Sequence, residues 1–325
     1  MKKTDQHQIT MVSLEHLVPH NHIYRKYHSL INFRHLTTDL RKKFKNKGAE
    51  GYGITTLFMC LLLQFIEDLS DRQLERFLQE NTAAKYFCGF GLIDRTPDYS
   101  LFSKARKRIG TDCLSTLLLK VRKCLQKQGY INEVFNFVDA SHLVAKSSLW
   151  KERDQAIKAK YERLNNEVLP KVCVDKDARI GCKGKDKYWY GYKKHVSVDM
   201  QSGLINKVAV TAANMTDAKG LKHVCPGRGV IFADKGYCTK DAQRIIKARG
   251  CEDGSVKKHN MQGKNHDLDR WRTKMRAPYE RVFSKTNHRV RYRGLVKNLF
   301  TVMMESFCFN MKRLIVLDAP PLALG

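Results

Sequence analysis

Two short apolar runs that each stop on a carboxylate constrain this chain more than any other feature. Val134-Phe135-Asn136-Phe137-Val138-Asp139 reads as a strand that delivers Asp139 to its end. Gly229-Val230-Ile231-Phe232-Ala233-Asp234 reads as a second, buried-type strand that ends on Asp234. Between them Gly191 to Asp199 alternates, Gln201-Ser202-Gly203 supplies turn residues, and Leu204 to Val210 is apolar-rich again, which is a hairpin pattern. Asn214-Met215-Thr216-Asp217 reads as a helix start, and a further helix is expected from about Thr239 to Ala248, where Gly250 stops it. A short strand over Cys251 to Val256 and a later helix beyond Pro278, with Glu280 early in it, complete the series. The order strand, hairpin, helix, strand, helix, strand, helix specifies an α/β core. If the two carboxylate-ended strands pair in parallel, Asp139 and Asp234 converge at one sheet edge. Lys146 to Tyr190 is largely polar and charged, and no element is assigned there.

Upstream the pattern is helical to about Tyr130. Ile54 to Leu69 is mostly apolar, and Ser70-Asp71-Arg72-Gln73 makes a capping box for a helix carrying Leu74, Phe77 and Leu78. Thr96 as cap and Pro97 in the first turn open a basic helix through Lys104, Arg106, Lys107 and Arg108, with Gly110 as its stop. That helix reads equally as an element laid against DNA phosphates and as an amphipathic helix with a solvated basic face.

A chain of 325 residues allows about two domains at roughly 150 residues each. The pattern divides it into a helical N-terminal domain over 1–130, expected to bind DNA or dimerise, an α/β core over 131–315 and a tail over 316–325. Lys and Arg number 60 against 32 Asp and Glu, a net charge of +28, which calls for a polyanionic partner. Charge by itself leaves DNA, RNA, a ribosome and an anionic membrane surface open. Leu57 to Ile66, the longest apolar stretch, is too short to span a bilayer, so no membrane role is expected. The ten cysteines form no Cys-x-x-Cys pair, which argues against a zinc finger. With a polar N-terminus in place of a signal core, the chain is expected in a reducing compartment with most thiols buried and free.

Exchanging a phosphodiester needs an activated oxygen nucleophile and a stabilised leaving oxygen, and two Mg²⁺ ions supply both. Mg²⁺ takes hard oxygen ligands, and a few carboxylates suffice; Mn²⁺ can substitute. Asp139, Asp234 and Glu280 are the candidate ligands. Taken singly, each also fits a turn, a cap or a solvated ion pair. The basic segment Arg289, Arg291, Arg293 and Lys297, with Tyr292 among them, offers cations for phosphates. Leu295 to Leu314 reads as a core-packing helix.

Several ordered motifs resemble the DDE transposases of bacterial insertion sequences, in particular the insertion-sequence-four and insertion-sequence-five groups. In the N-terminal region these are Leu69-Ser70-Asp71-Arg72-Gln73-Leu74-Glu75, Phe87-Cys88-Gly89-Phe90-Gly91-Leu92 and Thr96-Pro97-Asp98-Tyr99-Ser100. In the core they are Val138-Asp139-Ala140-Ser141, Gly191-Tyr192-Lys193-Lys194-His195, Asp199 to Leu204, Ala213-Asn214-Met215-Thr216-Asp217 and Ala233-Asp234-Lys235-Gly236-Tyr237. The resemblance implies an RNase H-like mixed-sheet core and metal-dependent cleavage at terminal inverted repeats, followed by strand transfer into double-stranded target DNA. It further implies Asp139, Asp234 and Glu280 as metal ligands, and a homodimer in a bacterial cytoplasm, associated with the nucleoid. The family's C-terminal signature of Tyr, Arg, Glu and Lys matches at Arg276 and Glu280. Thr273 stands in place of the Tyr and Asn287 in place of the Lys, with Lys285 two residues early, and the stretch from Glu280 to Gly294 is shorter than in similar members. Arg106, Arg108, Arg276, Lys285, Arg291 and Arg293 are the expected DNA contacts. Two other readings stay open: an RNase H-fold nuclease without strand transfer, and a DNA-binding protein that no longer cuts.

Overall fold

The computed structural model describes residues 11–44, 51–162, 164–184, 187–258, 261, 263–284 and 288–324. These fall into two compact units, one holding the described residues up to Cys113 together with 318–324, the other Leu114–Leu317. The division falls inside one long helix, Tyr99–Lys127, upstream of the turn near Tyr130.

In the first unit the apolar run forms the helix Ile54–Ile66, buried on almost every side, with Phe58, Leu61, Leu62 and Leu63 fully enclosed. A helix that is apolar all round has to be a core helix. The capping box holds: Ser70 Oγ accepts from Gln73 N, and Gln73 Oε1 accepts from Ser70 N at 2.9 Å, opening the helix Asp71–Glu80. The basic helix departs from expectation at both ends. Asp98, not Thr96, caps it, its Oδ1 accepting from Ser100 N at 2.8 Å. Nor does Gly110 end it. Gly110 takes φ 65°, and the chain resumes helical geometry to Lys127, so the glycine is a kink between two helical stretches.

The second unit is built on a six-stranded sheet among the described residues: β1 Phe135–Val144, β2 Arg179–Lys183, β3 Lys187–Asp199, β4 Ile205–Ala212, β5 Gly229–Phe232 and β6 Cys251–Asp253. The order is β2-β3-β1-β5-β6, with β4 paired to β3. The β1–β3, β3–β4 and β2–β3 pairs are antiparallel, and β1–β5 and β5–β6 are parallel. The expected hairpin is β3–β4, closed at Gly203 with φ 73°. The crossover from β5 to β6 runs through the helix Lys240–Ala248, capped by Thr239. The polar stretch left unassigned in sequence contains helices Leu149–Lys158 and Leu169–Val172 and the strand β2. This mixed sheet, antiparallel on one side of β1 and parallel on the other, is the RNase H-like core.

Both faces are covered. Val138, Ile231 and Ala233 pack on one side with Ala218, Leu221 and Ile246 from the helices Asp217–Val224 and Lys240–Ala248. Gly220 permits that close approach, because a Cβ there would stand 2.1 Å from the His195 ring. Phe137, Val196, Val198 and Phe232 face the other side with Val282. The helix Leu295–Val316 covers β4, where Asn310 exchanges two 2.8 Å hydrogen bonds with the backbone of Ile205. All ten cysteines are free and seven are buried, as expected of thiols used for packing. No described helix is long and apolar enough to cross a membrane.

Candidate active site

β1 does not end at Asp139. It continues to Val144, laddered to β3 with Asp139 opposite Val196. What ends is the partner on its other edge. The parallel pairing of β1 with β5 stops at Phe137 opposite Phe232. Asp139 and Asp234 each lie two residues beyond that last rung, so strand alternation turns both toward the face that Phe137 and Phe232 occupy. The two carboxylates therefore meet where β1 loses its parallel neighbour.

Local turns hold them. Asp139 Oδ1 accepts from Ala140 N at 2.8 Å, and Asp234 Oδ1 accepts from Gly236 N at 2.8 Å. A Cβ on Gly236 would lie 2.9 Å from that same oxygen, so a side chain at the third position of the Asp234-Lys235-Gly236 turn would push the Asp234 carboxylate out of its present place. Glu280 follows the 3₁₀ turn Ala277–Tyr279 and precedes the helix Arg281–Ser284, with its side chain 58% exposed. Arg276, the last residue of the helix His266–Arg276, is 8% exposed. Its Nη2 lies 3.9 Å from Asp139 Oδ2 and 3.7 Å from Glu280 Oε1, and its guanidinium carbon sits 5.8 Å from the Phe137 ring centre.

Asp139, Asp234, Glu280 and Arg276 all line one open cavity of about 770 Å³, together with Lys183 and Lys193. Burial pushes the Asp139 carboxyl up to about 6. The neighbouring Asp234 adds to the shift, while the Ala140 N–H and the charges of Arg276 and Lys183 oppose it. Tyr237 lies beneath, its hydroxyl buried without a partner and held well above the usual range by burial, then by Asp139, Asp217 and Asp234. Lys193 Nζ bonds Asp217 Oδ1 at 2.8 Å on the cavity wall. Lys183, Lys193, Asp217 and Tyr237 were not singled out from sequence. Lys193, Asp217 and Tyr237 do fall inside the motifs quoted above, and that was the signal available.

As a donor set the cavity fits hard divalent cations: of its four carboxylates Asp217 is paired to Lys193, which leaves Asp139, Asp234 and Glu280, with Asp139 already desolvated beside a like-charged neighbour. Among the described residues no three His, Cys, Asp or Glu side chains stand close enough to hold one ion. Arg276 Nη2 stands within 4 Å of two of them, Asp139 and Glu280.

The other expected DNA contacts separate. Arg106 is turned inward. Its guanidinium makes a two-point ion pair with Asp71 at 2.8 and 2.5 Å and bonds Gln64 at 3.1 Å, with its side chain 12% exposed, so it joins helices within the first unit. Arg108 is exposed and lies over the Phe44 ring, and Lys104 and Lys107 are exposed beside it. Arg291 is half-buried near Glu305, whereas Arg293 is exposed. Lys285 lies outside the described residues.

Residues 12–108 match the family described as Transposase domain (DUF772), and residues 133–311 match the family described as Transposase DDE domain. Among solved structures, the chain is similar to the cryo-EM structure of the piggyBac transposase synaptic complex with hairpin DNA, at 10% identity over 92% of this chain and 75% of that one, TM-score 0.39. It is also similar to the Mos1 transposase paired-end complex with left transposon end, at 6% identity over 86% and 83%, TM-score 0.18. The DDE match spans more than half of the chain and contains the whole sheet and all of its cavity-lining carboxylates: this protein belongs to the DDE transposases, enzymes that cleave DNA and transfer its strands.

Proposed function

We propose that Asp139, Asp234 and Glu280 are the metal-holding set of this transposase, and that it acts on the terminal repeats of a bacterial insertion sequence of the four or five group. The observation that carries this is the register: two aspartates, each two residues past the last parallel rung, in one cavity with Glu280. The three side chains would hold two Mg²⁺ ions, or Mn²⁺ in their place. When bound, the metals supply an activated water or terminal hydroxyl and stabilise the leaving oxygen.

The chain's own residues do the rest. The β1–β3 ladder fixes Asp139, and the Gly236 turn fixes Asp234, so neither ligand has to be ordered when substrate arrives. Lys183, Lys193 and Arg276 on the cavity wall place positive charge where a phosphate would enter. Beyond the cavity, Arg108, Arg291, Arg293 and Lys285 are proposed to engage duplex phosphates, with the region 1–130 binding DNA ends and pairing two copies, since two ends must be joined. The setting is a bacterial cytoplasm, on the nucleoid. One observation favours a second reading, DNA binding without cleavage: Thr273, where similar proteins carry tyrosine, spends its hydroxyl on the Asp269 carbonyl at 2.8 Å.

The deciding experiment is cleavage of supercoiled plasmid carrying the two element ends, with Mg²⁺, with EDTA, and with Asp139→Asn, Asp234→Asn and Glu280→Gln. Nicking and joining that require metal and all three carboxylates support the proposal. Binding without cleavage by the unaltered protein supports the second reading, and cleavage that survives Glu280→Gln removes Glu280 from the set.

A further inference from the structure

Carboxylates gathered in one partly desolvated cavity repel one another unless a cation stands among them. Here the cation is part of the chain. Arg276 Nη2 is shared by Asp139 and Glu280, at 3.9 and 3.7 Å. Both distances exceed hydrogen-bond length, so the contact is Coulombic and not the two-point fork that locks a guanidinium to one carboxylate. The contrast with Arg106, forked onto Asp71 at 2.8 and 2.5 Å, is direct. Arg276 Nε is moreover buried with no partner, so the side chain keeps an unused donor inside the site.

We propose that Arg276 is an internal counter-ion that Asp139 and Glu280 share and that exchanges with the divalent metal when the metal binds. The idea rests on the reading of Asp139, Asp234 and Glu280 as the metal-holding set. It accounts for a site that has the right donors but keeps them apart. A metal approaching Asp139 and Glu280 meets a positive charge already there, so metal binding must displace or repel the guanidinium. A neutral side chain at 276 therefore raises metal affinity, although it removes a cation from a site whose substrate is an anion.

The test is Mn²⁺ alone, without DNA, titrated calorimetrically into the full chain and into Arg276→Gln, Arg276→Met, Arg276→Lys and Asp139→Asn. The expected result is Mn²⁺ binding to the unaltered protein that Asp139→Asn abolishes. Arg276→Gln and Arg276→Met should bind Mn²⁺ about ten-fold more tightly, a change equivalent to 1.4 kcal/mol, and Arg276→Lys within two-fold of the parent. The neutral variants should also have a lower metal-free melting point that Mn²⁺ restores. If they are unfolded without metal, refolding on Mn²⁺ addition, followed by circular dichroism, supports the exchange, and failure to refold overturns it. Equal or weaker Mn²⁺ affinity in both neutral variants, with the parent still binding through Asp139, overturns the counter-ion while leaving the metal site intact. A parent that binds no Mn²⁺, or binds it equally well as Asp139→Asn, overturns the metal-site reading and the counter-ion with it.

Discussion

Asp139 and Asp199 sit on neighbouring, paired strands, and their surroundings are opposite. Asp199, fully buried, accepts backbone N–H bonds from Asn132, Glu133, Gln201 and Ser202 and a hydroxyl bond from Ser202. It ties the turn before β1 to the turn after β3. Asp139 accepts one backbone N–H and faces another carboxylate across an open edge. A buried carboxylate saturated with donors is a structural fastener, whereas one left short of donors beside a like charge is held ready for a cation.

Substitution should separate the two roles. The largest expected effect is on chemistry: Asp139→Asn and Asp234→Asn should each lower plasmid cleavage on the order of 10³-fold or more while the protein stays folded. Asp199→Ala should do the reverse. It strands several N–H donors and should cost about 3 kcal/mol in denaturant unfolding. If Asp199→Ala unfolds no more readily than Asp139→Asn, the contrast between them fails.

Next comes the arginine pair. Arg106→Ala should lower stability by about 2 kcal/mol, because it leaves Asp71 uncompensated, with the salt dependence of DNA binding unchanged. Arg108→Ala should leave stability unchanged and reduce the log–log salt slope for duplex DNA by about 0.9, the amount expected for one lost phosphate contact. Equal slopes in the two variants would return Arg106 to the DNA.

The smallest effect is in pH. The Asp139 carboxyl titrates near 6 when folded, above its ordinary value, so the folded state binds the extra proton between about 4 and 6. In metal-free protein the stabilisation present below pH 4 is lost as pH rises through 6. Asp139→Asn should remove that loss, raising metal-free stability at pH 7.5 by about 1–2 kcal/mol relative to the parent, with the side chain 22% exposed and partly screened. A melting curve without metal at pH 4 and pH 7.5 measures it, and no pH-dependent difference between parent and variant would remove the burial argument.

β3, β4, β5 and the turns around them were legible because they rest on local signals: apolar runs, the Gly203 turn, and Ser70, Thr216 and Thr239 at helix starts. Glu280 and Arg276 were reachable through motif spacing, and the structure brings both to the cavity. The β1 boundary was not legible, because continuation from Ala140 to Val144 depends on β3, a partner more than forty residues away in sequence. β2 was hidden because it is short, polar and paired only to the first part of β3. The inward ion pair of Arg106 was not legible for a similar reason. A run of basic residues has no written sign that one of them turns inward to Asp71. The same limit applied to Lys193 and Asp217, whose ion pair forms across two motifs that sequence shows only as separate segments.

The parallel pairing of β1 with β5 also has a kinetic side. Phe135 meets its partner Val230 roughly a hundred residues later in the chain, and Arg276 and Glu280 come later still. Non-local pairing of this kind is slow, because loop closure precedes the contacts that reward it. The helices of the first unit need only the first part of the chain for most of their contacts, such as Tyr24 on Glu67 and His28 on Phe87, so during synthesis they can assemble before the sheet is complete. The cavity lined by Asp139, Asp234, Arg276 and Glu280 closes among the last events, because its lining residues come from both ends of that long separation.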